Sequence, residues 1–364
     1  MKKVVFLSCI PTPHWLRFVP YLRKYVNAKF YYYDTGNHGR PEWWLEELGE
    51  HSFVLPKSIK MGHFYFNRRV WATLNKERPD VLIMGGFVDP GNVLAYIWAR
   101  LHGCKTIIMT ERSRTRTGRL QGYNLKWRIL RLFYRKLDAI LLVASGNGVE
   151  EQFVKTLRFG EKVKFSRYPA FLDPYFAHPL RGKKGVYTII HANGLTTKYN
   201  PICSVKAFAL AHQKHPNTRL FLNAVGPLRL EVEEEIRKAG IEDSVRFLDG
   251  LKTFDDLNKV YAESDIMLLP ANFSNGNYTV AEGMASGISI LISTKVPCRY
   301  AEQMKTAESI FIAEPNPEPF AEEICRLIEN PEEMTRIGRV NREIVRPRSM
   351  ESTARQYAEI VNSL

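Results

Sequence analysis

The stretch from Asp265 to Ser293, DIMLLPANFSNGNYTVAEGMASGISILIS, gathers residue types that do chemistry. Glu282 stands in a run of small residues, shortly after the polar, glycine-containing Ser274-Asn275-Gly276-Asn277. A carboxylate near a helix start can accept hydrogen bonds from a pair of hydroxyls such as those of a ribose. Backbone N–H groups at 276–279 would meanwhile face an anion such as phosphate. The same stretch supplies the elements needed to hold these groups. Ile266 to Leu269 has the length and apolar character of a buried strand, and Pro270 with the polar residues after it makes a loop. Thr279 is an N-cap candidate for a helix over Val280 to Ser286 that stops at Gly287, and Ile288 to Ile292 is a second buried strand. Strand, loop, helix, strand is half of a doubly wound α/β sheet, whose ligands gather at the carboxyl ends of strands. A buried strand–helix–strand without any ligand has the same pattern, so the rest of the chain must decide.

With 364 residues the chain predicts two domains of ordinary size. Its 45% hydrophobic content is that of a globular protein, and no apolar run is long enough to span a bilayer. Met1-Lys2-Lys3 before Val4 to Ile10 imitates a signal peptide, but Pro11 closes a short apolar run without a cleavage pattern, and a first β-strand is the better reading. Five cysteines, at 9, 104, 203, 298 and 325, show no metal-type spacing and imply a reduced, cytoplasmic setting. The net charge of +14 is unevenly spread. Residues 1–180 hold 29 Lys and Arg against 14 Asp and Glu, whereas residues 181–364 hold 23 against 24. From Arg112 to Lys136 there are nine basic residues and no acidic one, with aromatic and apolar residues between them. Arg116, Lys126, Arg128, Arg131 and Arg135 with Trp127, Leu130 and Phe133 suit an anionic membrane surface. A solvated helix face or a nucleic-acid backbone would also fit the charge, although no nucleic-acid recognition module is present.

Read in order, the first half alternates strand and helix patterns. Strands fall at Val4–Cys9, Lys29–Tyr33, Val54–Leu55, Val81–Met84, Thr106–Met109, Ala139–Ala144 and Val163–Tyr168. Helices fall at Trp15–Val26, after Pro41, at Met61–Lys76 and at Gly91–Gly103, the last with Val93, Leu94, Ile97 and Leu101 as its apolar face. The basic segment forms a further helix ending near Asp138, and Val149–Leu157 another. Glu111 and Arg112, at the carboxyl end of a strand, are candidates for binding an acceptor. His178 to Gly185 reads as an interdomain linker. The second half restarts the alternation from Val186, and helices at Pro319–Glu329, Pro331–Val345 and Ser352–Val361 close the chain.

Glu282-Gly283-Met284-Ala285-Ser286-Gly287 resembles the Glu-Ala-Met-Ala-x-Gly signature of retaining family 4 glycosyltransferases with the GT-B fold. Gly226-Pro227, Asp249-Gly250-Leu251 and the Asp173…Phe176 segment resemble other parts of that family, so the likeness runs along the whole chain. Two departures stand out. Ser274 and Asn275 occupy the place of the family's first glutamate, a degenerate form of its E-x7-E motif. Gly194 or Leu195 falls where an arginine accompanies the lysine matched by Lys198. The resemblance implies an α/β, GT-B fold of two Rossmann-like, doubly wound parallel-sheet domains facing a central cleft. It places an acceptor-side domain at 1–175 and a nucleotide-sugar domain at 176–349, with the helix at 350–364 packing back on the first.

It also implies roles. Lys198, Glu282, Asn275 and His14 become catalytic candidates, His14 as an acceptor-side partner or base unless it is merely structural. Asn193, Gly194, Gly226, Leu251, Ser274, Gly276, Asn277, Tyr278, Thr279 and Glu282 become donor-binding candidates. The implied reaction is transfer of a sugar, with retention, from a nucleotide-diphosphate donor such as a UDP sugar. The acceptor would be a saccharide or lipid-linked saccharide, in bacterial cell-surface polysaccharide or lipopolysaccharide synthesis. No Asp-x-Asp motif is present, so no metal and no cofactor beyond the donor substrate is expected. Partners are the nucleotide sugar, the glycan acceptor and an anionic membrane surface on the cytoplasmic face, with no nucleic acid and no specific protein. A non-catalytic GT-B scaffold that binds a nucleotide or glycan is the alternative, and an epimerase on the same fold is conceivable.

Overall fold

The computed structural model describes residues 1–35, 46–62, 64–86, 89–110, 125–143, 153–154, 158–274, 278–296 and 301–364. The chain divides into two units, one formed by Met1–Thr115, Arg119–Phe171 and Ser349–Leu364, the other by Leu172–Arg348.

In the first unit the order is β1 (Lys3–Ser8), α1 (Pro13–Arg23), β2 (Asn27–Tyr32), β3 (Ser52–Val54), β4 (Ile59–Met61), β5 (Phe64–Phe66), α2 (Arg69–Glu77), β6 (Val81–Gly85), α3 (Pro90–Leu101), β7 (Lys105–Thr110), α4 (Leu125–Phe133), β8 (Ala139–Leu142) and β9 (Val163–Phe165). Seven strands make one parallel sheet in the order β3-β2-β1-β6-β7-β8-β9. The near-continuous apolar runs are explained by covering on both faces. Val5, Leu7, Leu82 and Met84 enter one core, while Val4, Phe6, Val81 and Ile83 enter the other. Helix α1 starts at Thr12, whose side chain accepts from the Trp15 N–H, and Pro13 sits at its first position.

Two expectations for this unit are corrected. The predicted helix from Met61 begins instead as the hairpin β4–β5, which turns at Gly62 with φ +62° before α2 starts at Arg69. The apolar face read on α3 points the wrong way. Gly91, Ala95, Tyr96, Trp98 and Ala99 are buried, whereas Ile97 and Leu101 are exposed. A Cβ at Gly91 would meet the Tyr33 hydroxyl oxygen at 2.6 Å and its ring at 2.7 Å, so the small-residue face is the one that can approach the sheet. The predicted helix after Pro41, most of that at Val149–Leu157, and the basic segment at 112–124 lie outside the described residues.

In the second unit the order is α5 (Asp173–Phe176), β10 (Tyr187–His191), α6 (Pro201–Lys214), β11 (Thr218–Leu222), α7 (Arg229–Ala239), β12 (Val245–Phe247), α8 (Phe254–Glu263), β13 (Ile266–Leu269), α9 (Tyr278–Ser286), β14 (Ser289–Ser293), α10 (Ala301–Thr306), β15 (Ile310–Ala313), α11 (Pro317–Glu329) and α12 (Pro331–Val345). Its parallel sheet runs β12-β11-β10-β13-β14-β15. The final helix, α13 (Met350–Asn362), belongs to the first unit, where Tyr357 packs edge-on to Phe18 at 5.4 Å and Glu351 pairs with Lys24 at 2.9 Å.

The expected linker at 178–185 is in part a fixed element of the second unit. Arg181 is buried and donates to the carbonyls of Ser264 at 2.6 Å and Tyr261 at 2.7 Å. Its guanidinium lies 3.9 Å from Asp265, which also pairs with Lys184 at 2.6 Å and accepts from the Thr188 N–H at 2.7 Å. Burial lowers the Arg181 pKa to about 10.

Helix α9 is held from behind by glycine contacts. A Cβ at Gly338 of α12 would lie 2.5 Å from the carbonyl oxygen of Gly287, a backbone atom that cannot step aside. Gly338→Ala is therefore expected to destabilise the protein by about 2 kcal/mol. Gly182→Ala, whose Cβ would meet only Thr335 Oγ1 at 3.5 Å, is expected to be much milder. Thermal melting of the two variants checks this, and equal melting temperatures would contradict the close α9–α12 contact.

Candidate functional site

In the second sheet the order reverses between β10 and β13, since β10 connects outward to β11 on one side and pairs β13 on the other. The loops leaving the carboxyl ends of these two strands therefore meet at a topological switch point. Several bonds join them. Asn272 after β13 accepts nothing from the first loop but donates twice to it, from its N–H to the Lys198 carbonyl at 2.9 Å and from Nδ2 to the Thr197 carbonyl at 2.7 Å. Asn193 after β10 donates from Nδ2 to Thr279 Oγ1 at 3.2 Å, which ties this loop to the first turn of α9. The β11 loop joins them: the Leu195 N–H donates to the Val225 carbonyl at 2.8 Å, and that of Leu228 to the Leu195 carbonyl at 3.0 Å. Gly226, at φ +150°, is required here because a Cβ would fall 2.2 Å from the Leu195 carbonyl oxygen.

Polar groups with spare capacity mark this edge of the sheet. Asn193 Oδ1 and Thr196 Oγ1 are buried atoms without a hydrogen-bond partner among the described residues. An unpaired buried polar atom is costly, and a ligand hydroxyl or N–H would relieve it. Lys198 Nζ lies 4.6 Å from the Tyr199 ring centroid and 5.6 Å from that of Phe273. Among the described residues no carboxylate pairs with it, so its charge is held by two aromatic faces and stays available to an anion. Arg229, the cation beside the Gly226 turn, is committed elsewhere, to Glu233 at 2.5 Å and to the face of Phe247 at 3.4 Å.

The structure revises the reading of α9. The helix begins at Tyr278, so Thr279 is its second residue and not its N-cap, and Glu282 stands in the second turn. Glu282 is only 4% exposed, and its Oε2 accepts from the Tyr261 hydroxyl at 3.1 Å. A carboxylate so enclosed is not the open hook that the sequence suggested; a pentose could reach it only at a residual edge. Tyr261 was missed in the sequence, although its place one strand-start before Ile266 is the only signal that could have pointed to it. Burial, with the Glu282 carboxylate adding to it, holds the Tyr261 hydroxyl well above its ordinary pKa, so it acts as a donor. Ser274 is buried as well, with its N–H donating to the Lys295 carbonyl at 3.3 Å. It is therefore an enclosed loop residue, not an open contact for a sugar.

Other candidates separate. Gly194 and Gly226 lie in the joined loops, and Leu251 follows β12 at the same edge of the sheet, since the strands are parallel. Asn275, Gly276, Asn277, Glu111, Arg112 and Arg116 lie outside the described residues, as do the side chains of Lys126, Trp127 and Leu130. His14 belongs to the first unit, where its buried ring accepts from the Phe171 N–H through Nδ1 at 3.3 Å. That bond engages the Nδ1 lone pair, an arrangement that fits a structural histidine. Arg128, Arg131 and Arg135 also lie in the first unit, on or just after α4. No group of three or more His, Cys, Asp or Glu that could hold a metal occurs among the described residues.

Two α/β halves, each with a parallel sheet, make up the Rossmann-like pair of the GT-B fold. Residues 178–344 match the family model described as glycosyl transferases group 1. Over the whole chain the fold is similar to that of HepE from Anabaena, solved in complex with UDP, with a TM-score of 0.72, 14% identity and 100% of both chains covered. A glycosyltransferase from Rickettsia africae gives a TM-score of 0.72 at 14% identity, covering 100% of this chain and 98% of that one. WaaG, a glycosyltransferase involved in lipopolysaccharide biosynthesis, gives 0.69 at 14% identity, covering 99% and 100%. A comparison with curated protein sequences gives no match.

At the carboxyl end of β10, His191 is fully buried with Nδ1 bonded to Ser204 Oγ at 2.8 Å, and burial lowers its pKa from 6.5 to about 4. Above the unfolded value both states are neutral and this ring adds no pH dependence. As pH falls from 6.5 toward 4, the unfolded chain takes up a proton that the folded chain refuses. Stability should then fall by about 1.4 kcal/mol per pH unit from this group. His191→Asn is expected to shrink the difference in melting temperature between about pH 7 and about pH 5. An unchanged difference would show that the ring is not the linked group.

Proposed function

We propose that the protein transfers a glycosyl group from a nucleoside-diphosphate sugar to the hydroxyl of a saccharide or lipid-linked saccharide. The observation that carries this reading is the meeting of Asn193, Thr196, Lys198 and the first turn of α9 at a switch point, within the stretch that matches the group 1 glycosyl transferase model. The donor diphosphate lies against Lys198 and the amino end of α9, where positive charge and helix dipole act together. Asn193 Oδ1 and Thr196 Oγ1 accept from donor hydroxyls or share a bridging water. The base lies toward the Leu251 loop. Glu282, oriented by Tyr261, closes the floor of the site and offers one edge to the ribose.

As the bond from the anomeric carbon to the diphosphate oxygen breaks, negative charge grows on the leaving group. Lys198 and the α9 N–H groups stabilise that charge more than the ground state, which is how they accelerate transfer. The acceptor oxygen forms the new bond, its proton passes to a donor phosphate oxygen, and the nucleoside diphosphate leaves. Delivery on the face the leaving group vacates gives retention. UDP is the first nucleotide to test, because HepE has been solved with UDP and with UDP-glucose. By likeness to WaaG, a role in cell-surface polysaccharide or lipopolysaccharide synthesis on the cytoplasmic side is the setting we infer.

Thermal shift against UDP, ADP and GDP tests the binding half, since a ligand of the folded state raises the melting temperature. One of them should stabilise the protein, and Lys198→Ala should weaken that binding by about tenfold, or 1.4 kcal/mol. No shift with any nucleoside diphosphate would overturn the proposal. A panel of nucleotide sugars, read by release of nucleoside diphosphate with acceptor present, tests the transfer half. Binding without release from any donor would favour a non-catalytic scaffold, a reading supported by Ser274 standing buried near the place of the family's first glutamate.

A further inference from the structure

Helix α4 in the first unit presents apolar side chains to solvent. Leu125 is 70% exposed, Ile129 57% and Leu132 66%, with Phe133 partly exposed beside them. At 100° per residue these four positions share one face, and exposed Arg128 and Arg135 flank it. Its neighbour α3 does the same with Ile97, 40% exposed, and Leu101, 69% exposed. The two helices are joined where the Tyr96 and Phe133 rings meet at 5.1 Å and Arg100 donates to the Lys136 carbonyl at 3.4 Å. Single exposed apolar residues are ordinary, but six on two adjoining helices form a patch that calls for a partner.

The chemistry beside the patch indicates which partner. A surface groove of about 580 Å³ adjoins it, lined by Arg100, Lys105, Arg135, Lys136 and Lys162 around one carboxylate, Asp138. Asp138 is occupied by Lys105 at 3.0 Å and by the N–H and hydroxyl of Thr106. Among the described residues no carboxylate pairs with Arg100, Arg135, Lys136 or Lys162; Lys162 reaches only the Arg135 carbonyl, at 2.9 Å. A protein partner would bring apolar and acidic groups in one fixed arrangement. A bilayer supplies a continuous apolar phase behind a layer of anionic headgroups, which matches protruding leucine and isoleucine rimmed by unneutralised cations.

We propose that the α3–α4 face of the first unit docks on an anionic phospholipid bilayer. Ile97, Leu101, Leu125, Ile129 and Leu132 enter the headgroup–acyl boundary, and Arg100, Arg135, Lys136 and Lys162 take lipid phosphates in the groove. The sequence had assigned anchoring to Trp127, Leu130 and Phe133; the side chains of the first two lie outside the described residues, and Phe133 belongs to the exposed face. The proposal stands apart from the transferase reading, because none of these residues belongs to the second unit.

Vesicle co-sedimentation of the full chain tests it, using phosphatidylcholine alone and equimolar phosphatidylcholine and phosphatidylglycerol. The protein should pellet with the anionic vesicles and not with the neutral ones. The triple variant Leu125→Ser, Ile129→Ser, Leu132→Ser changes only exposed positions, so its melting temperature should hold while partitioning falls by about tenfold or more. The variant Arg135→Gln, Lys136→Gln, Lys162→Gln should lose the preference for anionic vesicles. Nucleoside-diphosphate thermal shifts, unchanged in both variants, keep this test separate from that of the active site. Equal pelleting of the wild type and the serine variant would overturn the proposal. So would failure to bind anionic vesicles, including the cases in which the protein is instead retained on DNA or the serine variant converts a dimer to a monomer.

Discussion

Helix α9 is short, and its seating is the constraint on which the candidate site depends. Every residue from Val280 to Ser286 is buried, so the helix cannot shift without disturbing its neighbours. Gly283 lets it lie against Met267 and Ile290 of the sheet, where a Cβ would approach both side chains to 2.8 Å. At its carboxyl end Gly287 takes φ +75°, and its N–H donates to the Met284 carbonyl. Arg342 of α12 donates to the carbonyls of Ala285 and Ser286, both at 3.0 Å, replacing the partners a helix terminus lacks. With that end secured by a cation and a backbone contact, the amino end is left to face the switch point. A nine-residue helix needs such support, because its own propensity would not hold it.

The polar network at the site follows from the same packing. Glu282 is placed by α9 next to Tyr261 of α8, and the hydroxyl gives the enclosed carboxylate a donor. Thr279 is placed one turn earlier, where it accepts from Asn193. Two strands, two loops and two helices thus share a few hydrogen bonds, and each bond also fixes a backbone that a ligand would touch. Away from this edge, Asp265 and Arg181 do comparable work at the opposite end of β13. There, buried charge is tolerated because Lys184, the Thr188 N–H and two carbonyls surround it.

Parallel strands buried on both faces leave a strong local trace, and for that reason β1, β6 and β13 were readable almost to the residue. Helix-start chemistry was readable where prolines or caps announce it, as at Pro331. Helix faces were harder. On α3, residues at 93, 94, 97 and 101 are more hydrophobic than the face that is buried, yet Gly91, Ala95 and Ala99 are smaller and allow closer approach to the sheet. Trp98 then finds Asn75 for its indole N–H at 2.7 Å, and Tyr96 finds the rings of α4. A hydrophobic count favours one face; the space available over the sheet selected the other. The hairpin β4–β5 was hidden for a similar reason, since its alternation is only three residues long on each side of Gly62.

The amino-acid sequence by itself determined the alternating α/β class, the repetition of that pattern in two halves, the concentration of positive charge in the first, and the presence of Lys198 in a loop that follows a strand and of Glu282 near a helix start. Those properties reside in composition and period along short stretches, so no distant residue can change them. Only the tertiary structure decided that Glu282 is enclosed with Tyr261, that Lys198 rests on aromatic rings, that His14 accepts a backbone N–H, and that α3 and α4 turn apolar residues outward. Each of these depends on a contact between separate elements, or on which of two faces fits the space beside its neighbours, and such contacts have no signature in the order of residues.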